Sequence, residues 1–196
     1  MPQSPDQILS VAAMRAAEAA LIARGDTVDS LMQRAGRGAA EWVWRIAAGR
    51  SVTVLCGPGN NGGDGYVIAE AIRERGGPVA VVAALAPATD AARTARALYA
   101  GPVLAPDDAA PGEVLVDCLF GSGLTRPLAA DHAALLARLA ASHLQTIAID
   151  LPSGVQSDSG LLLHGGQMHD GPRYDLTVAL GAWKFAHWLM PACATR

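Results

Sequence analysis

Three short stretches of this sequence gather groups that can bind an anion or move a proton. The first, CGPGNNGGDGYVIAEAI (56–72), sets Gly57, Gly59 and Gly62 at the G-x-G-x-x-G spacing. That spacing lets a backbone turn sharply and approach a pyrophosphate at a helix N-terminus. Asn60, Asn61 and Asp64 add amide oxygens, amide donors and a carboxylate to the same turn. The second, VDCLFGSGLTRPL (116–128), carries Asp117 and then a flexible run in which Ser122, Thr125 and Arg126 suit phosphate oxygens. The third, DLPSG (150–154), offers Asp150 and Ser153. Each also has a plain structural reading: a tight strand-to-helix turn with Asp64 capping the helix, a polar connection, a proline turn. Three such turns on one rim are harder to explain as turns alone.

Several familiar chemistries lack their parts. A nicotinamide dehydrogenase of this pattern needs an acid about 20 residues on to hold the ribose, yet VVAALAPA (81–88) has none before Asp90. A phosphate-loop NTPase needs Lys followed by Ser or Thr after its glycines, and a calcium loop needs a closing glutamate. Neither is present here.

The elements that must position these groups are legible in the apolar pattern. SVTVLCG (51–57), GPVAVVAAL (77–85), EVLVDCLFG (113–121), QTIAIDLP (145–152) and YDLTVALG (174–181) read as five strands. Their near-continuous hydrophobicity predicts burial on both faces. Residues 65–76, 89–100 and 131–142 predict helices between them, hence a parallel, doubly wound α/β sheet whose ligand sites lie at the carboxyl ends of the strands. Ahead of it, Ser10 caps one helix that Gly25 stops, with Val11, Met14, Ala17, Leu21 and Ile22 near one face and Glu18 inside that stripe. A second helix ends near Gly49, with Leu31, Met32, Ala35, Ala39, Val43 and Ile46 inward and Gly36 permitting close packing. Residues 151–174 form a long aperiodic connection of the kind that belongs to a site.

Composition narrows the class. The 196 residues suit one domain, 1–196; 51% are apolar and 17% charged, which excludes disorder. A net charge of −3 gives nucleic acid or an anionic membrane little to attract, so a small-molecule partner is expected. Cys56, Cys118 and Cys193 match no disulfide framework or zinc site, and no long apolar run occurs, so a cytoplasmic, soluble protein is expected.

Read together, MRAAEAALIARG, LMQRAGRGAAE, CGPGNNGGDGYVIA, VDCLFGSGLTRPL and AIDLPSGVQSDSG, in this order and within 8–188, resemble the NAD(P)H-hydrate epimerases, the YjeF N-terminal domain family. The resemblance implies a Rossmann-like three-layer αβα sandwich with a mostly parallel sheet and two N-terminal helices. It implies an isomerase that interconverts the R and S forms of hydrated NADH and NADPH (NADHX and NADPHX), with a potassium ion, K+, as cofactor. By motif position, Asn60, Asn61, Gly62, Gly63 and Asp64 would line the substrate, and Gly121, Ser122, Gly123, Leu124, Thr125, Arg126 and Pro127 would wrap its phosphates. Asp150 would contact the nicotinamide hydrate, and Asn61, Asp117 and Ser153 would hold the cation. Such oxygen ligands suit a hard cation.

The substrate's hydroxyl sits on a ring carbon beside nitrogen, so its configuration can invert by expelling and readmitting water or by opening and closing the ring; either route needs proton transfer and no redox step. Asp150, with its pKa raised by burial, is the expected catalytic carrier. Lys184, in GAWKFAH, stands where the family has a lysine followed by Pro-Gly-His; Phe185 and Ala186 replace Pro-Gly. It either aids Asp150 or a phosphate, or is a solvated surface lysine. His187 reads as structural, His164 and His169 as exposed, Trp183, Phe185 and Trp188 as packing residues, and Cys56 and Cys118 as buried and inert. Members continue past HWLMP with a further strand, and many carry an ADP- or ATP-dependent dehydratase domain, so the expectation is a domain cut short at its C-terminal end with no dehydratase domain. A homodimer and a fusion to that dehydratase in the full-length protein also follow from the resemblance. The alternative on the same fold is a non-catalytic nucleotide-binding or scaffold protein.

Overall fold

Val54, Val81, Val114, Val116, Ile147 and Ile149 are shut off from solvent and mark the plane around which the chain is layered. The computed structural model describes residues 7–108, 112–163 and 172–189. After β1 (Ile8–Leu9), α1 (Val11–Ala23) and α2 (Val28–Ala47), strands and helices alternate: β2 (Val52–Cys56), α3 (Asn60–Glu74), β3 (Val79–Ala83), α4 (Asp90–Leu98), β4 (Val103–Leu104), a 3-10 turn, β5 (Val114–Cys118), α5 (Ala130–Ala141), β6 (Gln145–Ile149), β7 (Leu176–Val178), β8 (Trp183–Lys184) and α6 (Ala186–Leu189). The main sheet has the order β4-β3-β2-β5-β6-β7, and every pairing in it is parallel. The chain therefore winds outward from β2 to β4, returns, and winds outward again from β5. The crevice where the order reverses lies between β2 and β5, the place where such sheets bind ligands.

Alternation along the strands divides the core. Val54, Cys56, Val116 and Cys118 face α2, α3 and α4, while Leu55 and Leu115 pack with Leu135, Leu136 and Leu139 of α5. On α2 the residues turned inward are Met32, Gly36, Ala39, Ala40, Val43 and Ala47, a small-residue stripe that brings α3 close. A side chain at Gly36 would meet Val67 at 2.7 Å, so the predicted close packing is present.

Four features depart from the sequence pattern. α3 starts at Asn60, so NNGGDG forms the first turns of the helix, and Asp64 lies inside it while Gly59 is the cap. Glycines and asparagines are poor helix formers; here they form a helix because the space admits nothing larger. A Cβ at Gly62 would strike the Gly57 backbone, and one at Gly65 would sit 2.7 Å from Cys56 Sγ. α1 is capped by Ser10 and stopped by Gly25 as expected, yet it buries no residue, and Glu18 is exposed. β4 lies in a proline-flanked stretch too short to show a period. The segments Ile8–Leu9 and Trp183–Lys184 pair in parallel as a second, two-stranded sheet. Phe185 and Trp188 are 43% and 48% exposed, though Trp188 still packs edge-on against the half-buried Trp183. Cys56 and Cys118 are buried and free, with thiols pushed well up by burial. His164, His169 and Cys193 lie outside the described residues. Among the described residues no helix is long and apolar enough to cross a membrane.

Close approach at Gly57 is testable. A Cβ there would collide with the carbonyl of Leu119, whereas one at Gly59, whose φ is −89°, meets nothing within 4 Å. Gly57→Ala is expected to lower stability by about 1–3 kcal/mol in urea unfolding, and Gly59→Ala to leave the midpoint almost unmoved.

Candidate functional site at the strand carboxyl ends

Asp150 follows β6 directly and is held with φ at 68°, a left-handed conformation that non-glycine residues seldom adopt. Four contacts fix it there. Its N–H donates to Val178 O at 2.8 Å, and its carbonyl accepts from His187 Nε2 at 2.8 Å. Its Oδ2 accepts from the Ser122 N–H at 2.8 Å, and its Oδ1 is 2.5 Å from Lys184 Nζ. Lys184 is 1% exposed, which corrects the surface-lysine alternative; Nζ also donates to Leu180 O at 2.5 Å.

His187 lies between the backbones of both residues of this pair. The Lys184 N–H donates to His187 Nδ1 at 2.9 Å, which leaves the proton on Nε2 to reach the Asp150 carbonyl. One neutral imidazole thus ties the two charged residues together through their backbones. Burial pushes its pKa down and keeps it neutral.

The electrostatics of Asp150 run opposite to the sequence expectation. Burial by itself raises the carboxyl's pKa, but the Lys184 ammonium and the Ser122 donors outweigh it and hold the group below its ordinary value. At rest Asp150 is an anion. Asp64, 8% exposed, is pushed well above its ordinary value, chiefly by burial and then by the Asp150 charge.

Asn61 reaches the same spot from α3. A Cβ on Gly121 would stand 2.8 Å from Asp150 Oδ2 and 3.2 Å from Asn61 Oδ1, so glycine is needed where these side chains meet. Both polar atoms of the Asn61 carboxamide are buried without a hydrogen-bond partner. Behind Gly121, Asp117 is fully buried and accepts four bonds: Leu119 N–H at 3.0 Å, Ser153 Oγ at 2.7 Å, Ser153 N–H at 3.0 Å and Tyr174 Oη at 2.6 Å. Ser153 Oγ in turn accepts from Phe120 N–H at 2.9 Å.

The remaining predicted residues spread from this centre. Asn60 is exposed, and its Oδ1 accepts from Thr89 Oγ1, the N-cap of α4, at 2.7 Å. A Cβ at Gly62 would meet the Gly57 backbone and one at Gly63 would meet Met32 and Ala92, so neither position admits a side chain. In the 121–127 loop Gly121, Ser122 and Leu124 are half-buried, while Gly123, Thr125, Arg126 and Pro127 are exposed. Sequence reasoning missed Tyr174 and Thr89, which lie in unremarkable stretches and carry no local signal. Among the described residues no three His, Cys, Asp or Glu side chains are grouped to hold a metal.

Residues 28–186 match the family model described as YjeF-related protein N-terminus. The chain belongs to this family. It is 38% identical over 169 residues to the NAD(P)H-hydrate epimerase of Rhodobacter capsulatus, covering 78% of this chain and 79% of that one. Identity to the NAD(P)H-hydrate epimerase of Achromobacter xylosoxidans is 42% over 159 residues, covering 77% and 74%. The Bifunctional NAD(P)H-hydrate repair enzyme Nnr of Gloeobacter violaceus is 37% identical over 193 residues; the match takes in 92% of this chain but 36% of that longer protein. In structure, the yeast protein ynu0 (YNL200c) superposes with a TM-score of 0.80 at 23% identity, covering 93% of this chain and 83% of its own, which establishes the fold. Among the described residues this YjeF-family chain is the expected Rossmann-like αβα sandwich.

Lys184→Met leaves Asp150 buried without its countercharge. Removing one partner of such a pair is expected to cost about 3–5 kcal/mol at pH 7, read by urea unfolding. In the wild type, the stability from Asp150's lowered pKa is complete above the unfolded value of 3.8 and is lost as pH falls through the folded one. In Lys184→Met the unpaired carboxyl takes up a proton at higher pH, so the gap between the proteins narrows toward acid.

Proposed function

We propose that this chain is an epimerase that interconverts the R and S forms of hydrated NADH and NADPH. The observation that carries this reading is the meeting of the Lys184-paired Asp150 carboxylate and the unpartnered Asn61 carboxamide at Gly121, on the rim where the strand order reverses. The names of the relatives support the same activity. Substrate phosphates would lie along the 121–127 loop, where Gly123, Thr125 and Arg126 are exposed.

The reacting carbon bears a hydroxyl and adjoins the ring nitrogen. Its C–O bond breaks as the nitrogen lone pair forms a C=N bond, and water then adds to the opposite face; no electrons leave the ring. Asp150 starts as an anion, so its part is to take the proton from water as the new C–O bond forms. Lys184 holds the carboxylate in place and the αL backbone aims it.

A potassium ion fits part of the expected ligand set. Asn61 Oδ1 is a buried oxygen with nothing bonded to it, and Ser153 Oγ keeps a lone pair after bonding Phe120 and Asp117. Asp117 has all four acceptor positions taken and would contribute charge from behind. Bound there, the ion would supply positive charge for substrate oxygens. Two adjacent free cysteines suit a reducing, cytoplasmic setting.

A single purified epimer added to the protein should reach the R/S mixture far faster than in buffer, and faster with potassium than with sodium. Asp150→Asn should slow conversion by about 100-fold or more. No acceleration by the wild-type protein contradicts the assignment.

A further inference from the structure

The four hydrogen bonds that the buried Asp117 accepts do not come from equivalent places. The Leu119 N–H belongs to the loop after β5, and the N–H and Oγ of Ser153 belong to the loop after β6. The fourth, from Tyr174 Oη at 2.6 Å, arrives from the segment that enters β7. We propose that Tyr174 is a positioning residue of this site: through Asp117 it sets the root of the 121–127 loop and so holds the Ser122 N–H against Asp150. The effect on turnover rests on the epimerase reading above; the positioning itself is open to measurement without substrate.

Each link of the path is a contact of 3.0 Å or less. Tyr174 Oη and the Ser153 N–H share Asp117 Oδ2, while the Leu119 N–H and Ser153 Oγ share Oδ1. Ser153 Oγ accepts from the Phe120 N–H at 2.9 Å. Leu119 and Phe120 are therefore both placed by the Asp117 carboxylate, one directly and the other through Ser153. Gly121 alone separates Phe120 from Ser122, whose N–H donates to Asp150 Oδ2 at 2.8 Å. A shift of Phe120 is passed on to that donor.

The phenol is the fixed point of this arrangement. A carboxylate swings about two side-chain bonds, and the loops after β5 and β6 can follow such a swing with their bonds intact. Tyr174 cannot follow it. It is 6% exposed, and its neighbour Asp175 is tied to β6 twice: the Asp175 N–H donates to Thr146 O at 2.8 Å, and Asp175 Oδ2 accepts from the Thr146 N–H at 2.8 Å. A hydroxyl 2.6 Å from a carboxylate oxygen is also at the length of a charge-assisted bond, the strong kind. Tyr174 thus refers the carboxylate, and the loop that leans on it, to the strand that ends at Asp150.

The test compares the wild-type chain with Tyr174→Phe, which keeps the ring and removes only the hydroxyl, both well below their unfolding midpoints. In the nitrogen-15 NMR spectrum of the substrate-free protein, the Ser122 amide proton, shifted downfield by its bond to a carboxylate, should move upfield in Tyr174→Phe. The amide signals of Val54 and Val116 in the sheet should stay in place. With one pure epimer, kcat should fall about 10-fold while KM stays within about 2-fold, because the lost bond orders a group of the chemical step and not the exposed part of the loop. A Ser122 signal that does not move, sheet signals that move as far as it does, or a wild-type kcat would overturn the proposal. If the wild-type protein does not epimerise, the functional reading fails and the Ser122 signal still decides the positioning; if it does epimerise while Ser122 is unmoved, only this inference fails.

Discussion

The ion pair between Lys184 and Asp150 imposes its requirements on the chain around it. Neither partner is open to water, so each has lost hydration that only a close countercharge and further hydrogen bonds can offset. The chain supplies them from separate places: a backbone N–H from the 121–127 loop, a carbonyl from the segment after β7, and a histidine that bonds both backbones. Asp150 also sits in a left-handed conformation that costs about 1–3 kcal/mol. Strain of this kind persists only where the surroundings over-determine it. The short β1–β8 pairing, with Leu9 opposite Lys184, is part of that support, so the N-terminal segment helps to position the site although α1 buries nothing.

A second constraint comes from the glycines. Gly57, Gly62 and Gly65 let the first turns of α3 press against the ends of β2 and β5, and Gly36 lets α2 press against α3 from outside. This brings the Asn61 carboxamide to the crevice at which β5 and β6 present Asp117 and Asp150. Packing and chemistry are therefore not separable here: the small residues that admit the helix also decide which polar groups meet. Asp117, held by four donors, organises the floor of the crevice and ties Ser153 and Tyr174 to it.

Much of this was legible in the amino acids. Runs such as VTVLC and VLVDC can only be two-face-buried strands, and an acid at the end of such a run had to find a partner, so Asp117 and Asp150 stood out. What local pattern hid was tertiary. NNGGDG has the composition of a loop and becomes helix because backbone lies where side chains would be. Lys184 resembles a surface lysine until the β1–β8 pairing and His187 place it beside Asp150. Burial was expected to raise the Asp150 pKa; without that lysine the expectation would have held, and it holds instead for Asp64. Tyr174 bonds a residue 57 positions away, a distance no periodicity spans.

The central claim is that Asp150 rests as an anion because a buried lysine holds it so. The most direct measurement is a carbon-13 NMR titration of the Asp150 side-chain carboxyl in the substrate-free protein, assigned by its loss in Asp150→Asn. A signal that stays at the ionised position from neutral pH down past 3.8, the ordinary aspartate value, is the predicted result. A midpoint above that value would mean that burial wins over the ion pair, and the account would be contradicted.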